Sequence, residues 1–543
     1  MTTNSERGVA LILALFLTVA MSVLASSMMF LSQTETYSSM NYRMMSQARY
    51  AAEAGVQKAG NFLFDTAQYA KPGTIGTDPL ANYDYTGSPV KYNGQPVVLS
   101  AVAGIGSNYP VPAVVTAFNN AAKGSLAAGN TTLNYGAYAK LLSMQTFDPY
   151  GMPPGGTPGV VQLWEITSQG TLGGARNAKV EVVALAEQPV WPANTYGAFA
   201  TSATCGALYF HGNVTINSYD STGLTGGTSP SMSSTGGNVG TNGNLDIEGS
   251  VAVQGNLYTP RTGVGSCSAN AVNALTETGS ADVTGSMVQL PSSVIYPTPP
   301  APSPMPPTST VSITGTTGAC AALVAAATAV GQTFPVSWCT TSGSGSSQKI
   351  TIDTSSTAGT LGTPPIQLPN VSLGSQVTLE IVAHAGPAQV VNVNSLDLTG
   401  GGKIAVKATV SNQSVLVNLA GKNADGSNMT TTPVMDFGGN SGGQFTNTSS
   451  CSGCSLYDAS MLQFIYGGPG TLTFRGNSAA AATIYAPNAT VNFNGTTDLY
   501  GSVLGKTVTN GGNANIHYDR RLSRDYYIEG MQMLGTFNWK RAS

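Results

Sequence analysis

Glu6-Arg7-Gly8-Val9-Ala10-Leu11-Ile12-Leu13 opens the stretch whose reading decides the fold. A short charged end and a glycine precede an uncharged, mostly apolar run from Val9 to Leu31. A helix over that run is roughly 35 Å long, enough to cross a bilayer core of about 30 Å. Ser32 to Phe64 is more polar yet still helix-compatible, and the first proline is Pro72. Nothing forces the helix to stop at a membrane surface. One long helix is expected, half in lipid and half out, with the rest of the chain behind it.

Three accounts fit the run. A plain anchor keeps Arg7 in the cytoplasm and the bulk of the chain outside. A secretory signal cut after Val23-Leu24-Ala25 leaves a chain starting at Ser26. A leader cut between Gly8 and Val9 leaves Val9 as the new N-terminus. The third account has support in the residues. Arg7-Gly8-Val9-Ala10-Leu11-Ile12, the apolar run, and Gln47-Ala48-Arg49-Tyr50-Ala51-Ala52-Glu53-Ala54-Gly55-Val56 together resemble the N-terminal domain of PilX-type minor pilins, over about residues 5–64.

That resemblance implies processing by a prepilin peptidase and entry into a type IV pilus. Its implied partners are other minor and major pilins and the pilus assembly platform. It places the chain in the inner membrane before assembly, single-pass with a cytoplasmic N-terminus, and in an extracellular pilus afterwards. Most pilins carry a glutamate at the fifth mature position, where it pairs with a neighbour's N-terminal ammonium; here that position is Leu13. An unpaired buried charge is costly. A subunit lacking the glutamate therefore suits a place with no subunit ahead of it, at or near the tip. The plainer account is that this position tolerates leucine.

Tyr37, Met44, Ala48, Ala52, Gly55, Ala59, Phe62 and Leu63 recur near the helical period, so the second half of the helix has a packing face. Asn93-Gly94 between Val90-Lys91-Tyr92 and Pro96 to Val102 reads as a hairpin, and Pro112 to Gly124 as a short helix. Val160 to Ser168 and Ala178 to Leu185 alternate and are expected to pair antiparallel, with Trp164, Ile166, Val180 and Val182 inside.

Over the whole chain the composition is that of a turn-rich exported β protein, with 65 glycines and only 9% charged residues. The net charge of −3 argues against a phosphate-neutralising nucleic-acid surface. Short strands recur at Asn213–Ser218, Gly243–Leu257 and Gly470–Thr509, with Gly and Asn between them. A β-solenoid, each rung burying its face on the next, accounts for this pattern. A β-sandwich is the competing fold. Asn477 to Leu522, with Ile484-Tyr485-Ala486-Pro487-Asn488-Ala489, is also similar to a bacterial β-helical domain of unknown function found behind PilX-type N-termini.

The expected fold class is α+β to mainly β: a long pilin-like helix with a small antiparallel sheet, then a large β-solenoid. The expected divisions are a leader (1–8), the helix (9–64), an α+β head (65–194), first rungs (195–262), a Pro-rich, disulfide-bearing insertion (263–347), further rungs (348–522) and C-terminal strands (523–543). The last are expected to pair with each other and to return to the head sheet. Pro291 to Thr308 reads as a semi-rigid spacer.

Six cysteines beyond a membrane segment fit an oxidising compartment. Sequence proximity pairs Cys205 with Cys267, Cys320 with Cys339, and Cys451 with Cys454, although other pairings remain open. Cys451-Ser-Gly-Cys454 has redox spacing but stands in a Ser/Asn/Gly loop, so a structural disulfide is favoured over a redox or metal role.

Chemistry is sparse. His211, His384 and His517 have no second His or Cys at ligand spacing, so no zinc site is expected. His517-Tyr518-Asp519 imitates a His–Asp pair, for which a structural hydrogen bond is the commoner explanation. Asn423-Ala424-Asp425-Gly426-Ser427-Asn428 offers oxygens without the acidic density of a calcium loop, and reads as an Asx turn. No catalytic residue, metal or cofactor is assigned. The reading is a non-enzymatic minor pilin-like subunit at or near a pilus tip, displaying a β-helical domain for assembly initiation and for contact with a surface or glycan. The alternatives are a permanently anchored β-helical adhesin and an anchored carbohydrate-active enzyme.

Overall fold

The computed structural model describes residues 5–65, 68–72, 78–128, 131–147, 159–173, 177–187, 190–315, 318–331, 334–354, 365–384, 388–398, 400–408, 413–438, 446–447, 454–476, 479–524, 527–529 and 533–541. The chain forms a long N-terminal helix followed by mostly β structure, in two compact units. The first unit holds the helix, the segment up to Thr146, Gly159–Pro189 and Met531–Ser543. The second holds Phe147–Pro158 and Val190–Gly530.

In the first unit, helix α1 runs unbroken over Ser5–Phe64. Its second half lies on an antiparallel sheet ordered Met533–Arg541, Ala178–Glu187, Gly159–Leu172, Thr131–Phe147, Val98–Ser100. Small residues permit the approach: Ala48, Ala51, Ala52 and Ala59 are fully buried. Opposite them stands Gly170, where a Cβ would lie 1.9 Å from the Ala48 carbonyl oxygen. Trp164, Ile166, Val180 and Val182 are core residues beneath the helix. The expected hairpin joins Lys91–Tyr92 to Gln95–Pro96, with Asn93 and Gly94 at positive φ (49° and 76°), as a tight turn of this hand requires. Helix α2 spans Pro112–Ala121, with proline in its first turn.

The last two strands do not pair with each other, contrary to expectation. Met533–Arg541 pairs antiparallel with Ala178–Glu187, and Tyr527–Glu529 pairs with Val190–Pro192. Along the chain, Val190–Gly530 of the second unit thus falls between two strands that pair with each other in the first unit's sheet.

The second unit is built on a parallel ladder whose spatial order differs from its sequence order. It starts with Ala198–Ala200 and Leu208–Tyr219, and proceeds in register through Leu245–Val253 to Leu275–Gly279, Asp282–Val283 and Met287–Gln289. The rungs therefore run past residue 262, and part of the expected 263–347 insertion belongs to the ladder. The chain then travels to the far end and restarts at Thr310–Ile313. It winds back through Ile366–Leu373, Gln389–Asp397, Met435–Phe437, Thr471–Gly476 and Ala479–Gly495 to Asp498–Asn510 and Asn515–Asp519. These final strands pair in parallel with the first, Leu208–Tyr219. The first rung is thus sandwiched between the second and the last.

Pro291 to Thr308 makes the return journey lying along the ladder. In order, Val294 bonds Asn242, Pro297 accepts from Tyr485, Thr298 accepts from Asn488, Pro304 accepts from Asn392, and Thr308 accepts from Asn370. Eighteen extended residues reach about 56 Å at about 3.1 Å each. The nine ladder steps from Ser312 to Thr276 need about 43 Å at about 4.8 Å each. The prolines remove backbone donors that would otherwise compete with the rungs.

Inside the ladder, apolar residues stack in columns. The rings of Phe437, Phe474 and Phe493 lie 5.3 and 5.0 Å apart on successive rungs, each ring nearly parallel to the next. Burying each ring contributes about 1.5–3 kcal/mol. At the far end helix α3, Ala319–Ala329, packs Leu323 and Ala327 onto the same core, beside Trp338. A second sheet stacks Lys349–Ile352, Thr378–Ala383, Lys403–Ala408 and Thr446–Asn447 in parallel, with Cys339–Ser342 antiparallel on its edge.

Candidate functional site

Three features deserve a functional account: the bare half of α1, the seam where the last rung meets the first, and a polar stripe on the ladder's outer surface.

Helix α1 leaves Val9 to Leu31 uncovered, with Leu11 70%, Phe16 75% and Phe30 70% exposed. Three of the four hydroxyls in this run, those of Thr18, Ser22 and Ser26, are turned back onto the helix. Thr18 donates to the carbonyls of Ala14 and Leu15, Ser22 to that of Thr18, and Ser26 to that of Ser22. Such bonding satisfies these three hydroxyls without water, as a lipid environment demands. Leu13 is 64% exposed on this surface. Gly8 and Val9 lie in continuous helical backbone.

Cys205 is bonded to Cys267, and Cys320 to Cys339. Cys454 is buried and disulfide-bonded, while its expected partner Cys451 lies outside the described residues.

The seam explains His517 and Asp519. The His517 Nδ1 stands 2.6 Å from the Asn217 Oδ1, and its Nε2 is 3.7 Å from Asp498. Asp519 instead accepts the backbone N–H groups of Ser221 and Arg521, each at 3.1 Å. The two side chains serve different partners, so they do not form the His–Asp pair that their spacing imitates. Burial pushes the Asp519 carboxyl up to about 6, against the lowering pull of those N–H donors. Asn513 and Asn515 accept from the backbone N–H groups of Asn213 and Thr215. Sequence reasoning misses these fasteners because asparagines in a Gly/Asn run look like ordinary turn residues.

His384 lies 2.7 Å from Asp353 on the second sheet. The Asn423–Asn428 loop closes on itself: Ser427 donates its backbone N–H and its hydroxyl to Asp425, which lowers that carboxyl below its ordinary range. This is the expected Asx turn. Among the described residues no group of three or more His, Cys, Asp or Glu could hold a metal ion.

The third feature follows from parallel register, which places one residue per rung in a column. On one outer face Ser312, Ser372, Asp397 and Asp436 occupy successive rungs. The column continues as Thr473, Asn492 and Thr509, then crosses the seam to Tyr209, Asp246 and Thr276. Each member can form hydrogen bonds. Neighbours already do so: Ser372 donates to Asp397 at 3.2 Å, and Thr509 to Asn492 at 2.5 Å. Arg475 clamps Asp436 with two guanidinium N–H groups. Near the seam, Tyr209 stacks on His211 with centroids 3.7 Å apart. His211 lies 3.4 Å from Asp246 and 2.9 Å from Glu248.

Another outer column, Phe199, Leu504, Tyr485 and Ile465, is apolar and is buried. Tyr296 of the proline-rich strap packs on Phe199 and Tyr485. The chain covers its own greasy column and leaves the polar one half-exposed at Tyr209, Asp246, Asn492 and Thr509.

No curated protein matches the sequence. Among solved structures, the crystal structure of the competence-associated pilin ComZ from Thermus thermophilus matches at 15% identity. The match covers 92% of this chain and 97% of that one, at a TM-score of 0.19. Residues 370–525 match the family described as a domain of unknown function, DUF7305. Residues 7–57 match the PilX N-terminal family, so the chain carries a pilin-type N-terminal segment.

Proposed function

We propose that the protein is a minor pilin-like subunit of a type IV pilus, inserted in the inner membrane by α1 and later assembled at or near the tip. Its second unit is read as a β-solenoid that meets external surfaces and is not assigned a reaction. The observation that carries this reading is the charge-free, outward-facing run Val9–Leu31, standing within a segment of PilX N-terminal type. A helix with that much exposed apolar surface needs lipid or neighbouring apolar helices around it. Leu13 in place of the usual glutamate supports the tip position, since a tip subunit has no subunit ahead whose N-terminal ammonium it must pair.

The test is the N-terminus of the mature protein, by mass spectrometry, from cells with and without a prepilin peptidase. A chain starting at Val9 only when the peptidase is present supports the reading. An intact Met1, or Thr2 after methionine removal, in both samples overturns it in favour of a permanently anchored surface protein. A start at Ser26 makes the chain an ordinary secreted one.

A further inference from the structure

We propose that the polar outer stripe of the ladder is a docking track for a linear cationic polysaccharide, an amino-sugar polymer lying across successive rungs. This deepens the surface-binding part of the proposed function by naming its site and ligand class. It needs no assumption about processing at Gly8.

Spacing is the first argument. Parallel register repeats a hydrogen-bonding side chain every rung, at about 4.8 Å. That step is close to the advance of one sugar along an extended chain. The register column runs over ten rungs because the seam sets Tyr209 beside Thr509; Asp436 and Thr473 in it are buried, and its accessible stretch crosses the seam from Asn492 and Thr509 to Tyr209, Asp246 and Thr276. A register slip at the seam would interrupt it, so the fasteners that fix the seam also fix the track.

The second argument is charge. Asp246 and Glu248 are the solvent-facing carboxylates on the accessible stretch near the seam, while farther along the column Arg475 offsets the buried Asp436 and acts on Asp397. The face is acidic, so it repels polyanions and favours a polymer carrying ammonium groups. Asp246 and Glu248 retain 28% and 57% of their side-chain exposure, which leaves carboxylate oxygens within reach of a ligand.

The third argument is the stacked pair of Tyr209 and His211. Sugar rings present apolar C–H faces that rest on aromatic rings, and an ammonium beside such a ring gains a cation–π attraction. The pair stands between the hydroxyl and amide side chains of Thr509 and Asn492 and the carboxylates of Asp246 and Glu248. Apolar stacking, neutral hydrogen bonding and charge are thus arranged along one line. The other outer column, covered by the chain's own proline-rich strap, carries no charged side chain at Phe199, Leu504, Tyr485 or Ile465.

The test uses the full chain purified in detergent. Long and short glucosamine oligosaccharides are titrated by calorimetry, beside polygalacturonate and polylysine. Many weak contacts along a track predict that affinity rises with oligomer length and falls with salt. Tyr209→Ala and Glu248→Gln, both at half-exposed or exposed positions, should each weaken binding of the long oligomer by about tenfold. Their thermal melts should match the parent, and polygalacturonate should not bind. Three results would each overturn the proposal: no binding of the long oligomer, undiminished binding by a Tyr209→Ala protein that melts normally, or equally tight binding of polylysine. The third would reduce the track to unspecific charge. The start site of the mature chain is read separately, so failure here leaves the pilin reading standing, and the reverse also holds.

Discussion

Asn217 and His517, 300 residues apart in sequence, meet through a 2.6 Å contact between the Asn217 Oδ1 and the His517 Nδ1 on facing strands. Both residues are buried, and the contact joins the first full rung of the ladder to its last. Asn217→Ala and His517→Ala should each lower stability by about 1–2 kcal/mol. The double variant should cost less than the two single losses combined, because both remove the same contact. A double-mutant cycle from chemical denaturation checks this, and strict additivity would mean that the contact contributes nothing.

Asp519 makes the seam sensitive to pH. Its carboxyl is raised by burial to about 6 in the folded chain, from the ordinary 3.8. The folded state therefore binds this proton more tightly than the unfolded chain does, and ionisation opposes folding. The group's contribution to stability grows as pH falls from about 6 towards about 4, by up to about 3 kcal/mol. Asp519→Asn retains an oxygen for the Ser221 and Arg521 N–H groups but cannot ionise. Its unfolding free energy should therefore change less than the parent's between pH 7.5 and pH 4.5. Identical pH slopes in the two proteins would contradict this account.

The closeness of α1 to its sheet rests on Gly170. A methyl group there meets the Ala48 carbonyl oxygen and the Ala52 nitrogen, backbone atoms that cannot swing aside. Gly170→Ala should cost at least about 1–3 kcal/mol and loosen the helix from the sheet. Hydrogen exchange on the full chain should show faster amide exchange in strand Gly159–Leu172, with the ladder strands unchanged. Unaltered protection in that strand would show that the packing tolerates the methyl group.

Much of this architecture is legible in the sequence, and the illegible part has identifiable causes. The helix is readable because one uncharged run is too long for anything else, and the hairpin because Asn93-Gly94 suits positive φ. The strands near Val180 and Thr471 alternate cleanly. The rung at Leu275–Gly279 does not, because the exposed Glu277 stands in register with the buried Ile247, where the column would otherwise carry an apolar residue. That interruption makes the region look like an insertion. The return of the last rung to the first is invisible locally, since backbone pairing between Leu208 and Val508 leaves no mark on either neighbourhood. His517 and Asp519 attract attention as a chemical pair for the same reason: their true partners, Asn217 and Ser221, come from the opposite end of the unit.

The two described disulfides differ in what they enclose, and their removal should differ accordingly. Cys205 and Cys267 are 62 residues apart, while Cys320 and Cys339 are 19 apart. Closing the longer loop removes more entropy from the unfolded chain, giving about 4 kcal/mol against about 3 kcal/mol. The shorter one also ties α3 to Cys339–Ser342 at the ladder's end, where Leu323 and Trp338 cover the core. Paired Cys→Ala replacement of 205 and 267 should therefore lower the free energy of unfolding more than that of 320 and 339. The shorter bridge should instead leave a local mark, with faster proteolysis within 319–339 while the rungs at Leu245–Val253 stay protected. Denaturant titration and timed proteolysis of the two variants check both halves. A larger global loss from the shorter bridge would mean that the end cap, rather than loop entropy, sets the stability of the ladder.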